Sequence, residues 1–512
     1  MAKDSEIELK LAIQPGDAAA FRRLSLLREK CLAGPTRREV FNVYFDTPGL
    51  ALKHRAMALR LRKLGGRWLQ TLKTAGAATG GLHQRREWEY PLSAPQLDLA
   101  LFRLTPRATL VLSKALHLAL KPAFTTEFQR TTWLLEVSPG QRVEVALDQG
   151  VIRCGERETV ISEVEIELLE GSAAAVFDLA LALVGQIGLT PEILSKAERG
   201  YRLFRPEALA PRRAGTFELK RRWSPKQAML VIIAACLDHF GANVEGALDS
   251  DDPEYIHQLR VALRRLRSAI RIFRPARAVH IVAELKWLTT VLGNARDWDV
   301  LTTRTLPSLL EDYGDHGLTK ELLAAAQQNQ ADSRGVARAA LASQRETFLV
   351  MAIGRWVGVP AELAVLPLRA KADGGALQPL AIQGLCQLAS RELRRHRRHL
   401  LRGKRALADL SPKARHRVRV DVKRLRYTGD FFSSLFSRNR AARYLKVVGE
   451  IQDVLGETND DQIAMQLLES LAPPERLFDF AGSWLAARLQ KKLANVHHQF
   501  AELKTIEAFW VD

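Results

Sequence analysis

Cysteine is scarce in this 512-residue sequence, which contains only four. The four residues lie far apart and show neither the paired spacing of a zinc site nor the density of a disulfide framework. We therefore expect a reducing compartment, and the cytoplasm is the simplest one. The cysteines are Cys31, Cys154, Cys236 and Cys386.

Long hydrophobic runs are also missing from the sequence. The longest apolar run, from Ala228 to Leu237, is far shorter than the ~20 residues that span a bilayer. Residues 1–6 contain no apolar signal core. We therefore expect neither a membrane segment nor secretion.

The charge that is present is positive and unevenly spread. The chain carries 76 Lys and Arg against 57 Asp and Glu, for a formal net charge of +19, and 47% of its residues are hydrophobic. Such values are typical of a globular protein and exclude a disordered one. Residues 1–210 carry a net charge of +5 and residues 211–512 carry +14. A polyanion would therefore be attracted to the second part, although a solvated basic surface gives the same count.

The periodicity of the hydrophobic residues divides the chain into a sheet part and a helical part. Residues 1–170 contain short alternating segments typical of strands, whereas the pattern from Ser224 onward is helical. Pro206, Pro211 and Gly215 indicate a linker between the two parts. We therefore predict an α+β chain with domains at residues 1–205 and 218–505, joined by a linker at 206–217. The predicted helices include 277–294, 297–312, 438–456 and 459–471.

The helical part contains an internal repeat. The segment that begins at His257 matches the one that begins at His416, at an offset of 159. Further along, residues 292–297 match residues 455–460 at an offset of 163. Both matches keep their order on either side of a break at 366–379 that contains Pro and Gly. We therefore predict a duplicated helical bundle, with copies at about residues 218–365 and 379–505.

Each predicted strand has one charged and one apolar face, because alternate side chains of a strand point to the same side. The charged faces collect side chains of like sign, which would repel one another on an ordinary exposed sheet. Rows of carboxylates suit a hard divalent cation, and rows of Lys and Arg suit a multiply charged anion. No P-loop or G-x-G-x-x-G segment is present, so backbone amides are not expected to hold phosphates. The charged faces contain Glu6, Glu8, Lys10, Arg60, Arg62, Arg85, Glu87, Glu89, Glu144, Asp148, Glu163, Glu165 and Glu167.

The segment Glu6-x-Glu8-x-Lys10 resembles the signature of the CYTH superfamily, the triphosphate tunnel metalloenzymes. Further segments follow in the order that the family shows, over about residues 1–205. This resemblance implies an eight-stranded antiparallel β tunnel with flanking helices, whose charged faces point inward. The further segments are Tyr44-Phe-Asp-Thr47, Leu59-Arg-Leu-Arg62, Thr71-Leu-Lys73, Arg130-x-x-Trp133, Glu165-x-Glu167 and Ser195-Lys-Ala-Glu-Arg-Gly-Tyr201.

The same resemblance implies a triphosphate in the tunnel beside Mg²⁺ or Mn²⁺, with a water that attacks the terminal phosphorus. The implied substrate ligands are Lys10, Arg60, Arg62, Lys73, Arg130 and Lys196, with Arg85 and Glu87 as second-rank candidates. The implied metal ligands are Glu6, Glu8, Asp148, Glu165 and Glu167, whereas the role of Glu163 stays open. The implied catalytic residues are Glu6, Glu8, Lys10, Glu165 and Glu167. Inorganic triphosphate is the expected substrate because no feature that would recognise an organic group is visible.

Basic side chains follow one edge of the apolar seam on two of the predicted helices. Steps of three and four residues keep them on one face, and a row of like charges at this spacing is repulsive. A solvated face paired with neighbouring acids would be the ordinary alternative. This part resembles the CHAD domain, which implies an all-α domain of two pseudo-symmetric four-helix bundles with a basic groove that binds inorganic polyphosphate. The implied ligands are His257, Arg260, Arg264, Arg267, Arg271, Arg395, Arg398, His399, His416, Arg419, Lys423 and Arg426.

The sequence thus favours a cytoplasmic, metal-dependent inorganic triphosphatase fused to a polyphosphate-binding module, with polyphosphate granules as a further expected location. Two alternatives stay open: a non-catalytic polyphosphate-binding protein, and a hydrolase of an organic substrate such as thiamine triphosphate or a nucleoside triphosphate. A nucleic-acid binder ranks lowest, since few aromatic residues lie beside the arginine rows to stack on bases. No membrane partner is expected.

Overall fold

The computed structural model describes residues 3–74, 77–79, 81–104, 119–274, 279–314, 316–358, 369–371, 377–379, 384–402 and 410–511. The chain forms two compact units. The first, called the sheet unit, comprises Met1–Ala210 and Ala342–Pro360. The second, called the helical unit, comprises Pro211–Leu341 and Ala361–Asp512.

The sheet unit is built on an antiparallel sheet that closes on itself. The strands follow the order β10-β1-β9-β8-β7-β2-β3-β4-β6-β5, and β1 also pairs with β6. Among the described residues, eight strands therefore form a closed ring, and the short β5 and β10 extend it. The strands are β1 Lys3–Ile13, β2 Thr36–Asp46, β3 Met57–Leu64, β4 Arg67–Thr74, β5 Ala77–Thr79, β6 Leu82–Leu92, β7 Lys121–Ser138, β8 Gln141–Cys154, β9 Arg157–Glu170 and β10 Leu189–Pro191. The predicted α+β class with an N-terminal antiparallel tunnel is confirmed.

Fourteen helices are found in the described parts of the chain. In the sheet unit they are α1 Ala18–Phe21, α2 Ser25–Glu29, α3 Ala173–Val184 and α4 Lys196–Phe204. The helical unit has α5 Pro225–Asp249, α6 Pro253–Phe273, α7 Val279–Val300, α8 Leu306–Tyr313 and α9 His316–Leu341. Helix α10 Gln344–Gly358 belongs again to the sheet unit, and the helical unit continues with α11 Leu385–Leu401, α12 Pro412–Phe432, α13 Arg438–Ser470 and α14 Glu475–Thr505. A short antiparallel pair, β11 Arg369–Lys371 with β12 Leu377–Pro379, lies between α10 and α11.

The apolar face of the ring lies outside, where helices cover it. Leu9 is aligned with Ile166 across the β1–β9 pair, and Ile166 is aligned with Val145 on β8. All three side chains are fully buried. Helix α3 packs against β1, β8 and β9. Since side chains alternate along a strand, this outer packing turns the charged faces toward the interior of the ring.

Helix α10 belongs to the sheet unit, whereas the sequence analysis places its residues in the first helical bundle. It packs against α3, where the absence of a side chain at Gly354 makes room for the ring of Phe177. Arg355 and Asp178 form an ion pair across this contact, with 2.5 Å between Nε and Oδ1. Helical periodicity predicts that α10 exists, but it does not determine which apolar surface the helix covers.

The helical unit confirms the predicted apolar seam of α6, since Leu259, Leu263 and Leu266 are buried. Helix α6 packs against α5, α7 and α12, and α13 packs against α12 and α14. The predicted interruption near residue 457 is wrong, because α13 runs without a break from Arg438 to Ser470. Its counterpart α7 also continues past the predicted break and ends in a π-helical turn at Leu301–Thr305.

By length and composition alone, α5 is long and apolar enough to cross a membrane. However, 56% of its most apolar window is buried within the protein. Helices of this kind also form the cores of soluble proteins, so this single helix is weak evidence for a membrane segment. Its buried residues include Ile232, Ile233 and Cys236.

Candidate active site

A cavity of about 380 Å³ lies on the inner face of the ring. Its wall includes side chains from β1, β3, β4, β6, β7 and β9 and from the first turn of α4. The predicted phosphate ligands Lys10, Arg60, Arg62, Lys73, Arg130 and Lys196 all line it, together with Glu6, Glu87 and Glu165. The structure therefore brings these residues into one cavity from distant parts of the sequence.

Three buried carboxylates form a cluster at this site. Asp148, Glu163 and Glu165 each offer an oxygen that lies within 4.8 Å of the others. Asp148 and Glu163 are directly opposite each other across the β8–β9 pair, and Glu165 follows on the same face of β9. The sequence analysis left the role of Glu163 open, and the structure places it beside two of the predicted metal ligands.

Cations surround this carboxylate cluster. Arg130 donates two hydrogen bonds to Asp148, at 2.7 and 2.6 Å, and also contacts Glu165. Lys196 Nζ lies 2.6 Å from Asp148 Oδ2 and 3.1 Å from Glu165 Oε1, and it also contacts Glu163. Lys10 contacts Glu165 and lies 3.2 Å from Glu8. Burial alone would raise the carboxylate pKa values, but the neighbouring cations outweigh it and hold the pKa of Glu165 well below its usual range. Glu165 is therefore ionised near neutral pH.

Helix α4 positions Lys196 at the cavity through a capping box. The Ser195 hydroxyl accepts a hydrogen bond from the Glu198 amide, and the Glu198 carboxylate accepts one from the Ser195 amide. This reciprocal pair fixes the first turn of the helix. Arg199, one turn along, contacts Glu163 and was not predicted as a site residue.

A second charged group lies where β1, β3, β4 and β6 meet. Lys73 Nζ is 3.0 Å from Glu6 and 2.7 Å from Glu87, and Arg60 is 3.2 Å from Glu87. Burial is the main cause that raises the pKa of Glu6 to about 7; Lys73 opposes this effect, whereas Glu8 and Glu87 add to it. In Glu87, burial is outweighed by Lys73 and Arg60, which hold its pKa below the usual range.

Arg62 differs from the other predicted phosphate ligands. Within the described residues, no carboxylate oxygen lies within 4.0 Å of its guanidinium, which instead donates from Nε to Asn42 Oδ1 at 3.0 Å. Burial lowers the pKa of Arg62 to about 10, and the nearby Arg60 and Arg130 contribute to the decrease. Glu89 and Glu87 oppose this decrease through their charges, but among the described residues neither forms an ion pair with Arg62.

The chemistry of the carboxylate cluster fits a hard divalent cation such as Mg²⁺ or Mn²⁺, which prefers several oxygen ligands. Asp148, Glu163 and Glu165 could hold it, whereas Glu6 lies instead beside Lys73 and Glu87. Glu167, partly exposed, is aligned with Glu8 on β1 and Glu144 on β8. The side chain of Arg85 lies outside the described residues.

The predicted site residues do not include several residues of the cavity wall, among them Tyr44, His83, Phe128 and Tyr201. Period-two spacing could have found two of them, because His83 is two residues before Arg85 and Phe128 is two residues before Arg130. The Phe128 ring lies beneath Arg130 and Lys196, at 5.6 and 5.0 Å. By contrast, Trp88 is buried in an apolar cluster.

On the helical unit, the predicted basic residues fall into neighbouring groups. In the first group, Lys423 of α12 lies near three other cations, Arg419, Arg264 and Arg260. Arg260 lies 3.3 Å from Asp297. Arg419 donates to Asn459 Oδ1 at 3.0 Å, and His416 Nδ1 lies 3.4 Å from the same oxygen. His257, whose pKa falls to about 4 because of burial and Arg296, also has Arg260 and Arg264 nearby.

The second basic group lies further along α6, near α11. Arg271 has the charges of Arg424, Arg267 and Arg395 nearby. Arg398 and His399 are exposed, and His399 lies 3.3 Å from Asp421. Arg426 belongs to neither group in its contacts, since it pairs with Asp430 at 3.2 Å and donates to the Leu445 carbonyl at 2.7 Å. The hydrogen bond to Leu445 joins α12 to α13.

Two family models match the chain in succession: the CYTH domain over residues 4–201 and the CHAD domain over residues 231–469. The sheet part of the chain therefore matches the CYTH domain, and the helical part matches the CHAD domain. Both resemblances noted in the sequence are confirmed.

Among individual proteins, the inorganic triphosphatase of Haemophilus influenzae is 36% identical over 210 residues, which are 39% of this chain and 54% of that protein. The chain thus matches about half the length of this curated relative. The crystal structure of the CHAD domain from Ricinus communis is 31% identical, with a TM-score of 0.49, and the match covers 59% of this chain and 99% of that one. A Hippeastrum protein, named as an adenylyl cyclase with a dominant triphosphatase activity, is 19% identical with a TM-score of 0.30, over 40% of this chain and 98% of that one.

Proposed function

We propose that the sheet unit hydrolyses inorganic triphosphate to diphosphate and phosphate with Mg²⁺ or Mn²⁺, and that the helical unit binds inorganic polyphosphate. The observation that carries the first part is the mixture of charges around one cavity, where six Lys and Arg side chains lie among clustered carboxylates. Anion binding alone would not require these carboxylates, since buried negative charge weakens it. The 36% identity to an inorganic triphosphatase supports the same activity.

The cations of the cavity account for binding and for stabilisation of the transition state. Arg60 and Arg62 on β3, with Lys73 on β4, can donate to non-bridging oxygens of a phosphate chain. When water attacks the terminal phosphorus and the bond to the leaving diphosphate breaks, negative charge shifts to the leaving group. Positioned Lys and Arg side chains lower the energy of that state. A divalent metal bound by the carboxylate cluster would neutralise further phosphoryl charge.

The walls of the cavity favour an inorganic substrate over an organic triphosphate. The aromatic rings that could stack on a base are already engaged: Tyr44 stacks on Phe124 at 4.6 Å, and Tyr201 meets Phe124 edge to face at 5.2 Å. Phe128 is covered by the two cations above it. This arrangement leaves charge, rather than ring stacking, as the basis of recognition.

The proposed activity is tested by phosphate release from inorganic triphosphate with Mg²⁺ or Mn²⁺, and with EDTA. We expect steady turnover with metal and at least a tenfold loss with EDTA, because the carboxylates cannot supply positive charge themselves. ATP and thiamine triphosphate serve as comparison substrates. Equal rates with and without metal, or faster turnover of an organic triphosphate, would contradict the proposal.

Support for polyphosphate binding comes from the first basic group, in which cations from α6 and α12 lie close together with few acids between them. The charged groups around Lys423 are Arg260 and Arg264 on α6, Arg419 on α12 and Asp460 on α13. Neighbouring cations of this kind repel one another unless an anion lies among them. A flexible polyanion such as polyphosphate would relieve this repulsion. Binding to polyphosphate would in turn place the protein at polyphosphate granules in the cytoplasm.

We expect polyphosphate to bind more tightly as the pH falls from about 9 to 6. Burial and the neighbouring arginines lower the pKa of Lys423 to about 6, so this amine is largely neutral above that pH in the empty groove. A bound anion favours the charged form of the amine, so binding takes up about one proton. The affinity should therefore rise by up to about tenfold for each pH unit that the pH falls. Calorimetry in buffers of different ionisation enthalpy measures the uptake.

The matched variant for this prediction is Lys423→Arg, which places at this position the residue that its repeat partner Arg264 already has. Arginine keeps its charge throughout this pH range, so proton uptake should fall by about one while binding persists. An unchanged uptake in the variant would show that another group is responsible.

A further inference from the structure

Two inner-face residues of β2 are the cross-strand neighbours of the two arginines of β3. Asn42 is aligned with Arg62, and Tyr44 with Arg60, across the β2–β3 pair. On its other side, Asn42 is aligned with Thr126 of β7. Thr126, Asn42 and Arg62 therefore form a row across three neighbouring strands, perpendicular to the strand direction.

Hydrogen bonds run along this row. Asn42 Nδ2 donates to Thr126 Oγ1 at 2.7 Å, and Arg62 Nε donates to Asn42 Oδ1 at 3.0 Å. Asn42 is 1% exposed and Thr126 is fully buried. The amide is thereby held with its oxygen toward Arg62, since the reverse orientation would place two donors against each other. With Nε engaged, the two terminal nitrogens of Arg62 remain to meet a ligand.

The partner of Arg62 is neutral, whereas the neighbouring cations have acidic partners. Arg60 lies 3.2 Å from Glu87, and Arg130 holds Asp148 with two hydrogen bonds. Glu89 is also on the inner face, but its carboxylate accepts a hydrogen bond from the Thr71 hydroxyl at 3.1 Å rather than from Arg62. A carboxylate at position 42 would fix Arg62 equally well but would neutralise it. The amide fixes the guanidinium and leaves its full charge available.

We propose that Asn42, supported by Thr126, is a positioning residue that orients Arg62 toward an oxygen of inorganic triphosphate without forming an ion pair with it. This inference rests on the proposed function of the cavity. It assigns a role in substrate affinity to a buried side chain that carries no charge itself.

A double-mutant cycle tests the proposal, with Asn42→Asp, Arg62→Gln and the combined variant. The readouts are KM and kcat for triphosphate, and its Kd measured with EDTA present. We expect Asn42→Asp to raise KM and Kd about tenfold with a smaller change in kcat, because the new carboxylate pairs with Arg62. In the Arg62→Gln background the same substitution should raise Kd by a clearly smaller factor, because only the repulsion between the new carboxylate and the anion remains. Equal effects in both backgrounds would overturn the proposal.

A second pair of variants keeps the test independent of any folding defect in Asn42→Asp. Thr126→Ser retains the hydroxyl that holds the amide, whereas Thr126→Val removes it at nearly constant shape. We expect the serine variant to bind triphosphate as the wild type does and the valine variant to bind it more weakly. Equal Kd values for the two variants would count against the proposal. If the wild type binds triphosphate without hydrolysing it, the proposed function fails while the role of Asn42 is still measured by Kd.

Discussion

Replacing Glu165 by glutamine is expected to lower kcat for triphosphate hydrolysis about 10³-fold, without raising KM. Glu165 belongs to the carboxylate cluster and contacts Lys10, Arg130 and Lys196. Glutamine has nearly the same shape but removes the negative charge that would hold a divalent cation. The three cations then have one acid fewer among them, so phosphate binding should be retained while turnover is lost.

Two variants control this prediction. Glu127→Gln removes an exposed carboxylate from β7 that pairs with Arg153 at 2.9 Å, and we expect its kcat to stay within twofold of the wild type. Glu165→Asp keeps the charge at the site and should retain more activity than glutamine does. If the Glu165→Gln protein folds and its kcat stays within tenfold of the wild-type value, the carboxylate cluster does not take part in the reaction.

The helical unit should bind polyphosphate with a steep dependence on salt. Each Lys or Arg that neutralises a phosphate releases counterions, so six or more such contacts should weaken binding about 10³-fold between about 50 and 200 mM salt. Removing one contact with Arg264→Gln should reduce the slope by about one. The exposed Arg443 on α13 lies outside the predicted ligands, and Arg443→Gln should leave the slope unchanged.

Competition with RNA at about 0.15 M salt distinguishes polyphosphate binding from nucleic-acid binding. Polyphosphate should displace RNA, because no row of exposed aromatic side chains accompanies the described basic groups. Preference for RNA, or an affinity that does not respond to salt, would exclude the basic groups as a polyphosphate groove.

The sequence predicts the sheet unit well because one physical rule, the alternation of side chains along a strand, determines both its core and its site. Leu9 and Lys10 are neighbours in sequence, yet one is packed under α3 and the other lines the cavity. The same rule does not say which carboxylates meet in space. The closeness of Glu163 to Asp148 depends on the register of β8 and β9, which no local pattern reveals.

Two features of the helical prediction fail for identifiable reasons. The sequence predicts a helix end at residue 456, but α13 continues through this segment, where it packs between α12 and α14. Helix α10 was assigned to the wrong compact unit because its apolar face could cover any exposed apolar surface. Asn42 was missed because a neutral amide gives no charge signal in the sequence, although its spacing from Tyr44 places it on the inner face.

A crystal structure with inorganic triphosphate and Mn²⁺ tests most directly whether this cavity holds a condensed phosphate beside a cation. We expect phosphate density within hydrogen-bond distance of Arg62 and Lys73, and an anomalous manganese peak among Asp148, Glu163 and Glu165. Phosphate and manganese found together at another place on the sheet unit, with the cavity empty, would contradict the account.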